Sequence, residues 1–185
     1  ARDILNNIIT GDLILIGSSM GGWIALLLFL EQHQRIKGVI GIAAAPDFTR
    51  EIKTRLTKEQ YQTIMDTGRI EIPNDYSNEP YIFTRALVEN GEKHCVLNTR
   101  HTISVPLTLI QGKKDTDVPW EKAKKIKALF RGPKTKTIFI ENGEAVINPN
   151  TGRGNMQYLQ KRPIIFGMNK LHKATIGTLW KWVSD

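Results

Sequence analysis

Residues 13–22 read Leu-Ile-Leu-Ile-Gly-Ser-Ser-Met-Gly-Gly, an apolar run that ends in Gly-x-Ser-x-Gly with a further glycine behind it. A continuous apolar stretch of this length is the signature of a strand covered on both faces. Met20 to Leu30, with no turn signal inside it, reads as a helix that starts at once. A strand that turns directly into a helix at Gly-x-Ser-x-Gly predicts a nucleophile elbow, in which one residue is held in a strained backbone conformation with its side chain pushed into the open. That residue is Ser19. Strand and helix approach closely in such a turn, so the positions two before and two after, Gly17 and Gly21, are expected to lack bulk. Ser18 does not fit the pattern, because Ile16 and Met20 stand at those offsets.

Working outward, Asp3 to Ile9 predicts a short helix, Asp12 to Ile16 the strand, Met20 to Gln34 the helix after the elbow and Ile36 to Ala43 the next strand. Strand, elbow, helix and strand in that order form a βαβ unit and require a parallel sheet. The alternation resumes with strand Pro106 to Ile110, helix Pro119 to Phe130 and strand Thr135 to Ile140. Between them, about 47–102 is polar, helical material whose length suits a lid over the strand ends. Within it Thr57 and Gln60 predict a capping box, Leu56 and Tyr61 its hydrophobic staple, and Gly68 the helix stop. A second helix is expected from Pro80 to Glu89, ended by Asn90-Gly91. Residues 146–170 hold no sustained period, and Gly152-Arg153-Gly154 lacks the strand that a phosphate loop needs. Ile176, Leu179, Trp180 and Val183 would line one side of a last short helix.

The 185 residues are 41% hydrophobic, enough for one domain with a sizeable core. No run reaches the length of a membrane span. The single cysteine, Cys95, excludes an internal disulfide and fits a reducing, cytoplasmic setting. As a nucleophile Cys95 is poorly served, with only His94 beside it. The net charge of +8 is unevenly distributed: the last forty residues hold Arg153, Lys161, Arg162, Lys170, Lys173 and Lys181 against Asp185 alone. The lysines of the 119–130 helix form its solvated face. Neither feature specifies nucleic-acid binding, and nothing in the sequence calls for a metal or a cofactor.

A serine hydroxyl near neutral pH is a weak nucleophile that needs an imidazole to take its proton and a carboxylate to hold that imidazole. The usual chain order on this kind of sheet is serine, acid, histidine. Asp115, in Leu109-Ile-Gln-Gly-Lys-Lys-Asp-Thr-Asp-Val-Pro119, follows directly on a strand end and is the candidate acid. Its neighbour Asp117 reads as structural, just ahead of a helix whose unpaired amides favour a carboxylate. The histidine is expected after the strand 135–140, where the chain reads Glu141-Asn-Gly-Glu-Ala145 and has none. Only His172 follows Asp115 in the chain, inside the irregular tail.

The segments ILIGSSMGGWIALL, VIGIAAAPDFT, EPYIFTRALVENG and QGKKDTDVPW together resemble the bacterial α/β-hydrolases related to the animal mitochondrial palmitoyl-protein thioesterase, which also cleaves acyl glucuronides. The resemblance covers roughly 1–144. It implies Ser19 as nucleophile, Asp115 as triad acid and the amide of Met20 as one oxyanion donor. Gln111 replaces a non-catalytic histidine of the family pattern, and Ala145 stands where relatives carry the general base. The resemblance further implies that this chain is the C-terminal half of an α/β-hydrolase fold, truncated, with a divergent tail over about 146–185. The expected substrate is a small-molecule or acyl-protein ester or thioester, with turnover impaired by the displaced base. The alternative is an inactive pseudo-hydrolase serving as a binding or split-partner module. With half of the sheet absent, Leu13 to Ile16 would be an open edge that pairs with an N-terminal half or with a second copy.

Overall fold

The computed structural model describes residues 1–31, 34–73, 79–141, 144–147 and 154–157. At its centre is a four-stranded parallel sheet in the order β1 (Leu13–Ser18), β2 (Ile36–Ile42), β6 (Leu107–Gly112), β8 (Thr135–Ile140). Helix α1 (Arg2–Asn7) precedes it, α2 (Met20–Glu31) crosses between β1 and β2, and α6 (Glu121–Leu129) crosses between β6 and β8. The expected βαβ unit and parallel sheet are therefore present.

Registers align the carboxyl ends of the strands, pairing Ser18 with Ile42, Ile42 with Ile110 and Ile110 with Ile138. Residues that follow these ends thus collect along one rim of the sheet. Helix α2 has apolar residues around its whole circumference, with Trp23, Ala25, Leu26, Leu28 and Phe29 buried. It packs with Ile36, Val39, Leu107, Leu109, Ile126 and Phe130 into one core. Arg35 ties the start of the sheet together, donating to the carbonyls of Leu5, Ile9 and Gly11.

Between β2 and β6 lie α3 (Phe48–Arg55), α4 (Lys58–Thr67), a hairpin of β3 (Arg69–Ile72) and β4 (Tyr81–Thr84), α5 (Arg85–Lys93) and the short β5 (His101–Thr102). The last of these pairs with β7 (Phe130–Arg131). The capping box forms as expected: Thr57 Oγ1 accepts from the Gln60 amide while the Gln60 side chain accepts from the Thr57 amide, and Gly68 closes α4 at φ 85°. Leu56 and Tyr61 both pack on a separate small core of Ile52, Ile64 and Val88.

Two expectations need correction. The helix placed at Pro80 to Glu89 starts at Arg85, because Tyr81–Thr84 is alternating, β-branched and aromatic and pairs with Arg69–Ile72. It also runs through Asn90-Gly91: Gly91 is buried, and a Cβ there would meet Thr49 Oγ1 at 2.2 Å, so that glycine serves packing of α5 on α3 and not termination. The helix expected to reach Gln34 is described to Glu31, with Gln34 in a turn. After β8, β9 (Glu144–Ile147) and β10 (Gly154–Gln157) pair antiparallel as a separate hairpin within the tail, where the sequence shows no sustained period. The last helix expected around 176–183 lies outside the described residues.

Candidate active site

Ser19 immediately follows β1 with φ 50°, a left-handed conformation that costs a non-glycine residue on the order of 1 kcal/mol or more. Four backbone hydrogen bonds hold it there. Its amide donates to the Ile42 carbonyl at 3.0 Å, and its carbonyl accepts from Gly22, Trp23 and Ala45 at 3.0, 3.4 and 3.0 Å. The turn after β2 is thus locked onto the turn after β1, and it is strained as well, with Ala43 at φ 44° and Asp47 at φ 58°. The side chain of Ser19 is exposed, and its hydroxyl engages no described residue.

The glycines play roles that differ from the simple spacing argument. A Cβ on Gly17 would sit 2.1 Å from the Gly21 carbonyl oxygen, so Gly17 is needed as expected. A Cβ on Gly21 itself would meet nothing within 4 Å. The second tight position is Gly22, where a Cβ would lie 2.6 Å from the Ala44 Cβ. Bulk is excluded where α2 passes over β1 and the 43–45 turn, and the side-chain direction of Gly21 faces away from both. Met20 opens α2, and its amide has no backbone acceptor among the described residues. An amide in the first helical turn carries partial positive charge along the helix axis and suits an oxyanion.

Asp115 lies after β6, two strand spacings from β1, or roughly 10 Å across the sheet. It is 9% exposed. Oδ1 accepts from the amides of Asp117 and Val118 at 3.0 and 2.9 Å, closing a tight Asx turn. Among the described residues Oδ2 has a single long contact, 3.4 Å to Gln111 Nε2. Burial pushes the carboxyl up from its ordinary value, against the two backbone amides that favour the charged form; the charge of Asp117 adds to the upward push. Asp117 does not cap α6: the cap position is Trp120, and the Asp117 carbonyl accepts from Arg55.

A second buried carboxylate, Asp47, escaped the sequence reading. It is 6% exposed, and both its oxygens are taken, by the amides of Val96 and Leu97 at 2.8 and 2.9 Å. That pairing staples the end of the insertion to the turn beside Ser19. The left-handed backbone of Asp47 is one that Asp adopts more readily than most residues, and Asp-Phe after an Ala-Ala-Pro turn was the available signal.

His172 and His33 lie outside the described residues. His94 and His101 are engaged elsewhere, His94 Nδ1 with the Asn90 carbonyl and His101 Nε2 with the Val96 carbonyl. Ala145 falls within β9, opposite Met156. Cys95 Sγ donates to the Gly91 carbonyl, and burial, reinforced by the charge of Asp47, pushes its thiol up, away from thiolate chemistry. Among the described residues no cluster of three or more His, Cys, Asp or Glu could hold a metal, and no helix is long and apolar enough to cross a membrane.

No family model matches the chain. It is 29% identical over 142 residues to the mitochondrial palmitoyl-protein thioesterase ABHD10 of Mus musculus, an alignment covering 76% of this chain and 48% of the relative. With the Homo sapiens protein it shares 30% identity over 118 residues, 63% of this chain and 39% of the relative. Among solved structures, a putative hydrolase from Agrobacterium vitis is 36% identical with a TM-score of 0.66, over 70% of this chain and 52% of that one. Mouse alpha/beta hydrolase domain-containing protein 10 is 27% identical with a TM-score of 0.65, over 76% and 56%. The chain has a partial α/β-hydrolase fold and resembles members of that family in sequence. It spans about half the length of the curated relatives it matches. Its share of the α/β-hydrolase sheet is the four-strand unit β1-β2-β6-β8, with Ser19 and Asp115 on the rim formed by the carboxyl ends.

Proposed function

We propose that this chain carries the nucleophile and acid of a serine hydrolase acting on carboxylic esters or thioesters, acyl-protein thioesters among them. The observation that carries the reading is the strained, exposed Ser19 at the strand-to-helix turn, held by four backbone hydrogen bonds at a positive φ. Such strain is retained where it aims a reactive side chain.

In this reading Ser19 Oγ attacks the carbonyl carbon of the acyl group while its proton passes to an imidazole, and the carbonyl oxygen becomes an oxyanion facing the Met20 amide. Collapse of the tetrahedral species expels the alcohol or thiol, which takes the proton back from the imidazolium. Water, deprotonated by the same imidazole, then attacks the acyl-enzyme and frees the acid and Ser19. Asp115 Oδ2 accepts from the other imidazole nitrogen. That imidazole belongs to His172, the histidine that follows Asp115 in the chain. The insertion of about 47–102 serves as a lid, the substrate is a small-molecule or acyl-protein ester or thioester, and the lone Cys95 fits work in the cytoplasm.

A second reading has its own observation: relatives of this pattern are expected to carry the base where Ala145 stands, and Ala145 is part of a strand. The chain is then an inactive module that binds acyl ligands or pairs with a further polypeptide. Turnover of a p-nitrophenyl acyl ester and of an acyl thioester separates the two. The hydrolase reading expects turnover that falls at least about a thousandfold in Ser19→Ala and in His172→Ala. No turnover by the unmodified chain supports the inactive module, and turnover indifferent to Ser19→Ala removes Ser19 as the nucleophile.

A further inference from the structure

Gln111 is the last buried polar residue before the loop that presents Asp115. It sits near the end of β6, paired with Phe139 of β8, and is 1% exposed. Its Nε2 faces three oxygens at once: the Val118 carbonyl at 2.9 Å, the Gly112 carbonyl at 3.2 Å and Asp115 Oδ2 at 3.4 Å. Its Oε1 is buried with no donor among the described residues. The amide cannot be turned over, because that would set Oε1 against those three oxygens and take the 2.9 Å donor from the Val118 carbonyl, leaving Gly112 only the 3.4 Å contact from the Asp115 amide. The fold therefore tolerates an orphaned Oε1 in order to hold an N–H donor at this spot.

We propose that Gln111 is a positioning residue for Asp115, its side-chain amide fixing the 112–118 loop so that Oδ2 alone is turned toward an incoming imidazole. The two carboxylate oxygens are not equivalent. Oδ1 is spent on the amides of Asp117 and Val118, inside the turn. Among the described residues Oδ2 has only the long contact with Gln111, and it retains acceptor capacity for a further N–H. Gln111 grips the loop at both ends, at Gly112 and Val118, and touches Oδ2 between them, so rotation of the carboxylate breaks that contact. A leucine of similar volume would remove the donor to the Val118 carbonyl and leave Gly112 only the long contact from the Asp115 amide, and a glutamate would face three oxygens with its own. The charged groups around the loop are Asp117 and Lys114, Lys113 paired with Glu141, and Arg55 from α3, which donates to the Asp117 carbonyl. None is altered by changing Gln111.

The inference rests on the reading of Asp115 as the acid, and the experiment separates the two. Carboxyl carbon NMR follows the titration of Asp115 in the parent chain, in Gln111→Leu and in Gln111→Glu, while a fluorophosphonate reports the labelling rate of Ser19. Loss of a hydrogen bond to the charged form is expected to raise the Asp115 titration by about half a unit in Gln111→Leu, and by more in Gln111→Glu, where two carboxyls share the loop. Labelling is expected to slow about tenfold in both. Leu107→Ala, lower on the same strand, is the control for stability: it should lower the melting temperature and leave the Asp115 titration unchanged. An Asp115 titration that is the same in Gln111→Leu as in the parent overturns the proposal, as does one that moves equally in Leu107→Ala. Asp115→Asn with an undiminished labelling rate removes the acid assignment itself, and the positioning role with it, even where the Gln111 variants shift the titration.

Discussion

Gly17→Ala and Gly21→Ala alter the two glycines of one motif by the same methyl group, yet the structure assigns them opposite outcomes. At position 17 the added Cβ falls 2.1 Å from the Gly21 oxygen, 2.4 Å from the Gly21 carbonyl carbon and 2.7 Å from the Gly22 nitrogen. Ordinary contact begins near 3.4 Å, so the backbone of α2 must retreat by about 1.3 Å from β1. All three clashing atoms are main chain, and the retreat breaks the bonds that hold Ser19 at φ 50°. The cost belongs at the upper end of overpacking, about 3 kcal/mol. At position 21 the Cβ enters open space on a helix, where alanine is favoured over glycine, for a gain of up to ~0.5 kcal/mol in a first turn. For a chain of this size the pair should differ by about 7–14 °C in melting temperature. Circular dichroism melts at matched concentration read the difference. Gly21→Ala melting as low as Gly17→Ala would mean that position 21 of the elbow is as crowded as position 17, contrary to the open space found there.

Asp115→Asn should abolish esterase activity and yet stabilise the fold at neutral pH. The folded carboxyl is raised above its unfolded value, so charging it costs stability as pH rises through the window from the ordinary carboxylate range to the raised value. The advantage of the asparagine in urea melts is therefore expected above that window and not below it, and an advantage confined to acid would contradict the sign. Asp47→Ala leaves the Val96 and Leu97 amides unpaired beside the elbow at a cost of about 2–4 kcal/mol, while Asp47→Asn, which tolerates the left-handed backbone, should lose less. Hydrogen exchange at those two amides checks this. Strand β1 pairs only with β2 among the described residues, with Ile14 66% and Ile16 41% exposed. Sedimentation velocity is accordingly expected to show concentration-dependent association that Ile14→Lys weakens, and a monodisperse monomer at all concentrations would count against an open edge.

The sheet was legible because its strands are apolar runs bounded by clear punctuation: Gly17-Ser-Ser across the end of β1, Ala-Ala-Pro46 after β2, Gly112 as the last residue of β6. The capping box at Thr57 and Gln60 was legible for the same local reason. The β3–β4 hairpin was not, since four-residue strands in a polar stretch lack a period long enough to separate from a helix, and Pro80 imitated a helix start. Gly21 and Gly22 could not be told apart by spacing, because which one meets Ala44 depends on how α2 is rotated over the sheet. Asp115 was reachable from its place after a strand, whereas the roles of Asp47 and Gln111 depend on partners 49 and 7 residues away that only the folded chain reveals.

An activated Ser19 should react with a fluorophosphonate, and intact-protein mass spectrometry reads that reaction. One covalent adduct per chain, mapped to the peptide containing Ser19 and absent from Ser19→Ala, is the expected result. A folded protein that takes up no reagent, or one labelled equally in Ser19→Ala, would contradict it.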